Sequence, residues 1–254
     1  MSDRRIWEPS VRAVPYSVAA EGISSPVKIA FLSDLHGEDY DECLDEVKKF
    51  APHLVIFGGD AIDERIPWRV GLDALKTFAR TFHSYYVPGN HEVETNRYDL
   101  VKRAAKATGI HMLDGKKVLL NLHGNKLLLC GVEDPLCGEK AHAAQMKKAA
   151  QAAKEFEGYS ILITHRPERV EEYRGTAFDL VLTGHAHGGQ WRFPFLKNGF
   201  LAPDAGLLPK YTGGLYDLEG TTLLVSRGIA VRNTHVPRIG NPPEVCMITL
   251  VPKE

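Results

Sequence analysis

The chain has 254 residues, 44% of them hydrophobic and 25% charged, the balance of a soluble globular protein with length for one large domain or two small ones. Its formal net charge of -1 supplies neither the basic field that holds a polynucleotide nor an acidic tail. Cys43, Cys130, Cys137 and Cys246 stand without C-x-x-C spacing, so no thiolate zinc site or redox pair is signalled, and such sparse use suits a reducing compartment.

At the N-terminus, MSDRRIWEPS places Arg4 and Arg5 ahead of no apolar core, so neither a secretory nor a twin-arginine signal is read. No later stretch is long and apolar enough to span a bilayer, and a cytoplasmic location is expected. Residues 1–26, punctuated by Pro9, Pro15 and Pro26, read as an N-terminal arm or edge strand. Val27 to Ser33 is a short apolar strand that stops at Asp34-Leu35-His36-Gly37. Leu44, Val47 and Phe50 space a surface helix over 39–50. Leu54 to Phe57 is a second buried strand, closed by Gly58-Gly59-Asp60, and Leu72, Leu75, Phe78 and Phe82 mark a helix over 68–82. Ser84 to Val87 is a third strand, ending in Pro88-Gly89-Asn90-His91-Glu92. Strand, polar end and helix thus recur, the pattern of an α/β sheet whose ligands collect outside the strand C-termini.

Between Ile110 and Val132 the chain changes to short strands around turns at Asp114-Gly115 and Gly124-Asn125, which suggests antiparallel pairing. Glu139 to Phe156, rich in alanine and lysine, is the clearest helix. Tyr159 to Thr164 is a strand ending in His165, and Phe178 to Leu182 is another that runs into Gly184-His185-Ala186-His187-Gly188-Gly189-Gln190. His185 and His187, separated by a single residue, could serve two different ions, or one if the backbone turns. Thr221 to Ser226 and Val245 to Val251 are the last strands. No repeat, low-complexity segment or linker interrupts 1–254, so a single domain is expected.

Five strand ends therefore present Asp34 and His36, Asp60, Asn90 and His91, His165, and His185 and His187. Imidazole and carboxylate suit borderline divalent ions, manganese, iron or zinc, and one carboxylate can bridge two of them in a hydrolase site. Singly, Asp34, Asp60 and Asn90 read equally well as helix caps, but capping says nothing about the histidines. His53, His83, His111, His123, His142 and His235 fall outside the motifs.

Asp-Leu-His, Gly-Asp, Gly-Asn-His-Glu, a lone His after a strand and Gly-His-Ala-His, in that order, resemble the signature of the calcineurin-like metallophosphoesterases. GHAHGGQ, GLLPKYTGGLY and the tail from SRGIA to NPPEV make the chain most similar to bacterial enzymes of the YkuE type. The resemblance implies a four-layer αββα sandwich (α/β, α+β class) with two divalent metal ions at one edge. By position, one ion would be held by Asp34, His36, Asp60 and His187, and the other by Asp60, Asn90, His165 and His185. A hydroxide between the ions would attack phosphorus. His91 resembles the family's catalytic histidine, and Asp63 stands where relatives keep an acid paired with it. Glu92 reads either as an outer hydrogen-bond acceptor or as a first-turn acid.

Arg166, Gln190, Arg227 and Arg232 are candidates for holding substrate, against an ordinary surface or structural role for the arginines. The loop from Trp191 to Tyr211, with Phe193, Phe195, Phe200, Leu201, Leu207 and Leu208, either walls the substrate pocket or fills core beneath it. The expected activity is a phosphodiesterase, pyrophosphatase or monoesterase acting on a small or lipid-linked phosphoester, with peripheral membrane contact in the latter case. A nuclease and a non-catalytic scaffold of the same fold are the alternatives; neutral charge counts against the first, and the filled motif positions count against the second.

Overall fold

Strands that are apolar on both faces cannot meet water on either, so they must be sandwiched. In β2 (Val27–Leu32) the alternate residues Val27, Ile29 and Phe31 enter one buried cluster while Ala30 and Leu32 enter another. The computed structural model describes residues 10–196, 198–234 and 236–253, so 1–9 and His235 lie outside the described residues.

The elements follow in the order β1 (Arg12–Ala20), β2, α1 (Asp41–Phe50), β3 (Leu54–Phe57), α2 (Arg69–Thr81), β4 (Ser84–Tyr86), α3 (Asn90–Glu94), α4 (Tyr98–Ala107) and β5 (His111–Met112). Then come β6 (Lys117–Leu122), β7 (Asn125–Gly131), α5 (Glu139–Lys154), β8 (Tyr159–Ile163), β9 (Leu180–Thr183), β10 (Leu201–Ala202), β11 (Gly206–Leu207), β12 (Gly214–Asp217), β13 (Thr222–Val225) and β14 (Glu244–Pro252). One six-stranded sheet runs β1-β14-β2-β3-β4-β5 and the other β12-β13-β9-β8-β7-β6, with β10-β11 a separate hairpin.

Between the sheets, Ile29, Phe31, Leu54 and Ile56 meet Leu129, Ile161, Ile163 and Leu182 in the central core. Outside the first sheet, Val47 of α1, Phe78 of α2 and Val101 of α4 cover Val55 and Phe57. Outside the second, Met146, Ala149 and Ala153 of α5 cover Leu128, Leu162 and Val181. The layers are therefore helix, sheet, sheet, helix, the expected αββα sandwich.

The N-terminal segment does form an edge strand: β1 pairs in parallel with β14 from Arg12 opposite Glu244 to Ala20 opposite Pro252. Antiparallel pairing after Ile110 holds for the β6-β7 hairpin, whereas β5 joins β4 in parallel. Helix α4 went unread in the sequence, although Tyr98, Val101 and Ala105 carry helical spacing among charged residues. Parallel neighbours β2, β3 and β4 in one sheet, and β8 and β9 in the other, bring their C-terminal ends to one edge of the sandwich.

Candidate metal centre and active site

Every predicted ligand sits just past one of those strand ends, on backbone that has left the sheet sharply. Five of the seven adopt left-handed backbone: Asp34 (φ 53°), His36 (47°), Asp60 (53°), His185 (61°) and His187 (45°). Such conformations cost of order 1–3 kcal/mol each for non-glycine residues and persist where surrounding structure enforces them. Glycines make the close approach possible. A Cβ at Gly184 would stand 2.6 Å from Asp34 Oδ2, and one at Gly89 would collide with Asp60 Oδ1.

The side chains gather in two groups whose ligating atoms lie within 4.8 Å of one another, Asp34-His36-His187 and Asp60-His165-His185. The left-handed turns at His185 and His187 take the pair out of extended geometry, in which residues two apart face one side, and the two rings fall in separate groups. Asp60 joins them: Oδ2 is 3.0 Å from His165 Nε2 and 3.8 Å from His36 Nε2. Its other oxygen, Oδ1, accepts the His91 backbone N–H at 3.0 Å. Asp34 accepts the His185 N–H at 3.0 Å.

Three of the four ligand-type imidazoles are fixed from behind. His36 Nδ1 lies 2.8 Å from Asp63 Oδ2, His165 Nδ1 lies 2.7 Å from the Gly58 carbonyl, and His185 Nε2 lies 3.0 Å from Asp204 Oδ2. An N–H donated to each acceptor leaves a lone pair on the opposite nitrogen facing the cluster. Those lone pairs face other acceptors: the Asn90 carboxamide oxygen points at His185 Nδ1, His165 Nε2 and Asp60 Oδ2 from 2.9, 3.2 and 3.3 Å. Turning the amide over would make hydrogen bonds of these contacts; as placed, the set of carboxylate, imidazole and amide-oxygen donors suits a divalent cation. His36 Nε2 and His187 Nε2, 3.3 Å apart, fit the same reading.

Charge within the group follows from burial and pairing. Burial opposes ionising Asp60, but His165, with His91 and His36, outweighs it and holds the carboxyl well below its ordinary range. Burial likewise opposes protonating His165, and Asp60, Asp34 and Asp134 override it and raise the imidazole pKa. A cation held by His165 Nε2 would therefore compete with a proton for it. Calorimetric titration with a divalent ion is expected to show affinity falling by up to ~tenfold per pH unit for each proton displaced as pH drops from 8 to 6, and pH-independent affinity would contradict the competition. Burial, with Asp60 adding to it, pushes Glu92 up to about 7. That carboxylate accepts backbone N–H bonds from Asp60 (3.0 Å), Ile62 (2.8 Å) and Gly89 (2.7 Å), so Glu92 is both the outer acceptor and the first-turn acid of α3.

The expected pairing of Asp63 with His91 is not what the structure holds. Asp63 Oδ2 stands 3.9 Å from His91 Nδ1, beyond hydrogen-bond reach, because the buried carboxylate is engaged by His36 and Arg65. Glu64, the next residue, takes the position at 2.6 Å from His91 Nδ1. Burial would lower the His91 pKa, but Asp60 and Glu64 together raise it above the usual imidazole value. Asp63→Asn is accordingly expected to weaken cation binding roughly 10- to 100-fold through His36. Glu64→Gln should instead leave cation affinity unchanged and shift the alkaline limb of the rate profile to lower pH, as His91 loses its carboxylate partner. If the two variants exchange these phenotypes in metal titrations and pH profiles, the pairing is wrong.

Of the substrate candidates, only Gln190 lines the cavity of about 330 Å³ over the cluster, together with His36, Asn90, His91 and His187. Its Oε1 is buried without a hydrogen-bond partner among the described residues. Arg166 is buried and bound to Asp134 at 2.6 Å and to Asp204, so its charge is already matched. Arg227 faces Glu244 at 3.6 Å and, like the exposed Arg232, does not line the cavity. Glu64 was legible as a second acid beside Asp63. Asp204, on the turn between β10 and β11, had no signal in sequence, because only folding brings it to His185.

Comparison with known proteins gives the family of the chain. Residues 27–189 match the family model for Calcineurin-like phosphoesterase. The chain is 30% identical to YpbG of Bacillus subtilis over 231 residues, covering 89% of this chain and 81% of that one. It is 26% identical to the metallophosphoesterase YkuE of Bacillus subtilis over 234 residues (88% and 78% covered), as the sequence motifs implied. It is also 26% identical to the Phosphodiesterase YaeI of Escherichia coli over 238 residues (90% and 83% covered). With the motif residues drawn together at one sandwich edge and the family model spanning most of the chain, the protein belongs to the calcineurin-like phosphoesterases and is a phosphoric ester hydrolase.

Proposed function

We propose that the chain hydrolyses small phosphodiesters with two divalent cations, one held by Asp34, His36, Asp60 and His187 and the other by Asp60, Asn90, His165 and His185. The observation that carries this reading is Asp60 Oδ2, which faces a histidine of each group at 3.0 and 3.8 Å and so can serve both. When bound, the cations supply Lewis acidity toward water and the phosphoryl oxygens.

The protein's own groups do the rest. His91 lines the cavity with its Nδ1 on Glu64 and its pKa raised, which suits a ring that donates a proton to the leaving oxygen from its other nitrogen. Gln190 offers an unpartnered amide oxygen to a hydroxyl of the substrate. Leu201, Ala202, Pro203 and Val236 form an apolar wall on the same cavity, whose volume suits a small molecule. An aryl or acyl-bearing leaving group would bury against that wall. Exposed Leu207 and Leu208 follow it on the same segment, a surface compatible with a lipid-linked substrate. No helix among the described residues is long and apolar enough to cross a membrane.

The test is a substrate panel run with manganese, iron and zinc, comparing an aryl phosphodiester, an aryl phosphomonoester, a lipid-linked pyrophosphate and nucleic acids. Cation-dependent turnover fastest on a diester with an apolar leaving group is expected. Preference for the monoester, or cleavage of nucleic acid alone, would overturn the substrate reading.

A further inference from the structure

The turn of the β10-β11 hairpin reaches back to the candidate ligand cluster. Asp204, at its turn with left-handed backbone (φ 54°), places Oδ2 3.0 Å from His185 Nε2. The same oxygen pairs with Arg166 Nη1, and Arg166 Nε donates to buried Asp134 at 2.6 Å. Arg166 directly follows His165, so one carboxylate is bonded both to His185 and to the residue next to His165, two members of one ligand group. Glu168 flanks Arg166 at 3.4 Å.

An imidazole can present either nitrogen, and the hydrogen bond on one side selects which. His36 and His165 have Nδ1 tied back and Nε2 turned to the cluster, whereas His185 is tied at Nε2 and turns Nδ1 inward, toward Asn90. His185 therefore depends on an acceptor at Nε2, and the hairpin supplies it. The half-exposed Asp204 fills no core, which leaves that hydrogen bond and the Arg166 pair as its contribution to the fold. Leu201, Ala202 and Pro203 of the same segment wall the cavity.

We propose that Asp204 is a positioning residue that holds His185 with Nδ1 toward its cation, so that the seating of the substrate-walling hairpin and the affinity of that one cation site are linked. The inference rests on the reading of Asp60, Asn90, His165 and His185 as one ligand set.

The experiment uses the full chain stripped with chelator and titrated with zinc in a calorimeter, alongside nitrogen-15 NMR of its histidine rings. Asp204→Ala is expected to weaken one of two binding events about 10- to 100-fold, to leave the other unchanged and to keep the melting temperature near wild type. Wild-type His185 should show the Nε2-H tautomer, which the variant loses, and Asp204→Glu should recover part of the affinity. Wild-type affinities and an unchanged His185 tautomer in Asp204→Ala would overturn the proposal. A weakened event with the tautomer retained would also overturn it, since Asp204 would then act as a ligand itself. His185→Ala separates the two levels: if that variant keeps both binding events, the ligand assignment fails and not merely the role of Asp204.

Discussion

Replacing Asp60 with asparagine is expected to lower phosphodiester turnover by roughly three orders of magnitude or more, a loss of about 4 kcal/mol of transition-state stabilisation. The size follows from the position of one oxygen. Oδ2 faces His165 and His36 from opposite groups, while Oδ1 is held by the His91 backbone N–H. An asparagine keeps the shape but brings either a neutral oxygen or an N–H donor into a space lined by imidazole lone pairs, so both cation sites should weaken together. Metal content by mass spectrometry and turnover by release of the aryl alcohol are the measurements. Loss of one cation with the other retained at wild-type affinity would show that Asp60 does not bridge.

Replacing His91 with alanine should act on the chemistry and spare the cations. A proton-transferring side chain contributes typically 10²- to 10⁴-fold, so kcat should fall by about that factor on a substrate with a poor leaving group. The loss should be smaller on a nitrophenyl ester, whose leaving oxygen needs no proton. His91 lies against His36 edge-on at 4.5 Å between ring centroids, but its side-chain hydrogen bond goes outward to Glu64 rather than into the ligand groups. Metal stoichiometry is therefore expected to stay at the wild-type value. If His91→Ala loses a cation, the ring is a ligand and not an acid.

Much of this was readable before folding. Runs such as Val27–Leu32 and Leu54–Phe57 announce strands buried on both faces, and each is followed within three residues by a side chain with a coordinating atom, so candidate ligands could be named from their places in the chain. Glu92 was readable as an outer acceptor or as a first-turn acid, and folding makes it both by bringing the Asp60 and Ile62 N–H groups to it. What differed was the partner of His91, expected to be Asp63 and found to be Glu64. Asp63 and Glu64 differ by one position, and whether one or the other meets His91 depends on the left-handed turn at Asp60 and on which carboxylate His36 claims. Arg166 misled for the opposite reason: an arginine beside a ligand invites a phosphate, but two aspartates that are distant in sequence, Asp134 and Asp204, already hold it.

By itself, then, the sequence determined the order of strands and helices and the candidate ligands at their ends, because both are written in local pattern: where an apolar run ends and which side chain follows. The tertiary structure decided which histidines stand together, which acceptor backs His36, His165 and His185, and which acids hold Arg166. Those are pairings between strand ends and loops far apart along the chain, His36 with His187 and His185 with Asp204 among them. Their distances are set by the packing of one sheet on the other, a relation that no spacing within the sequence encodes.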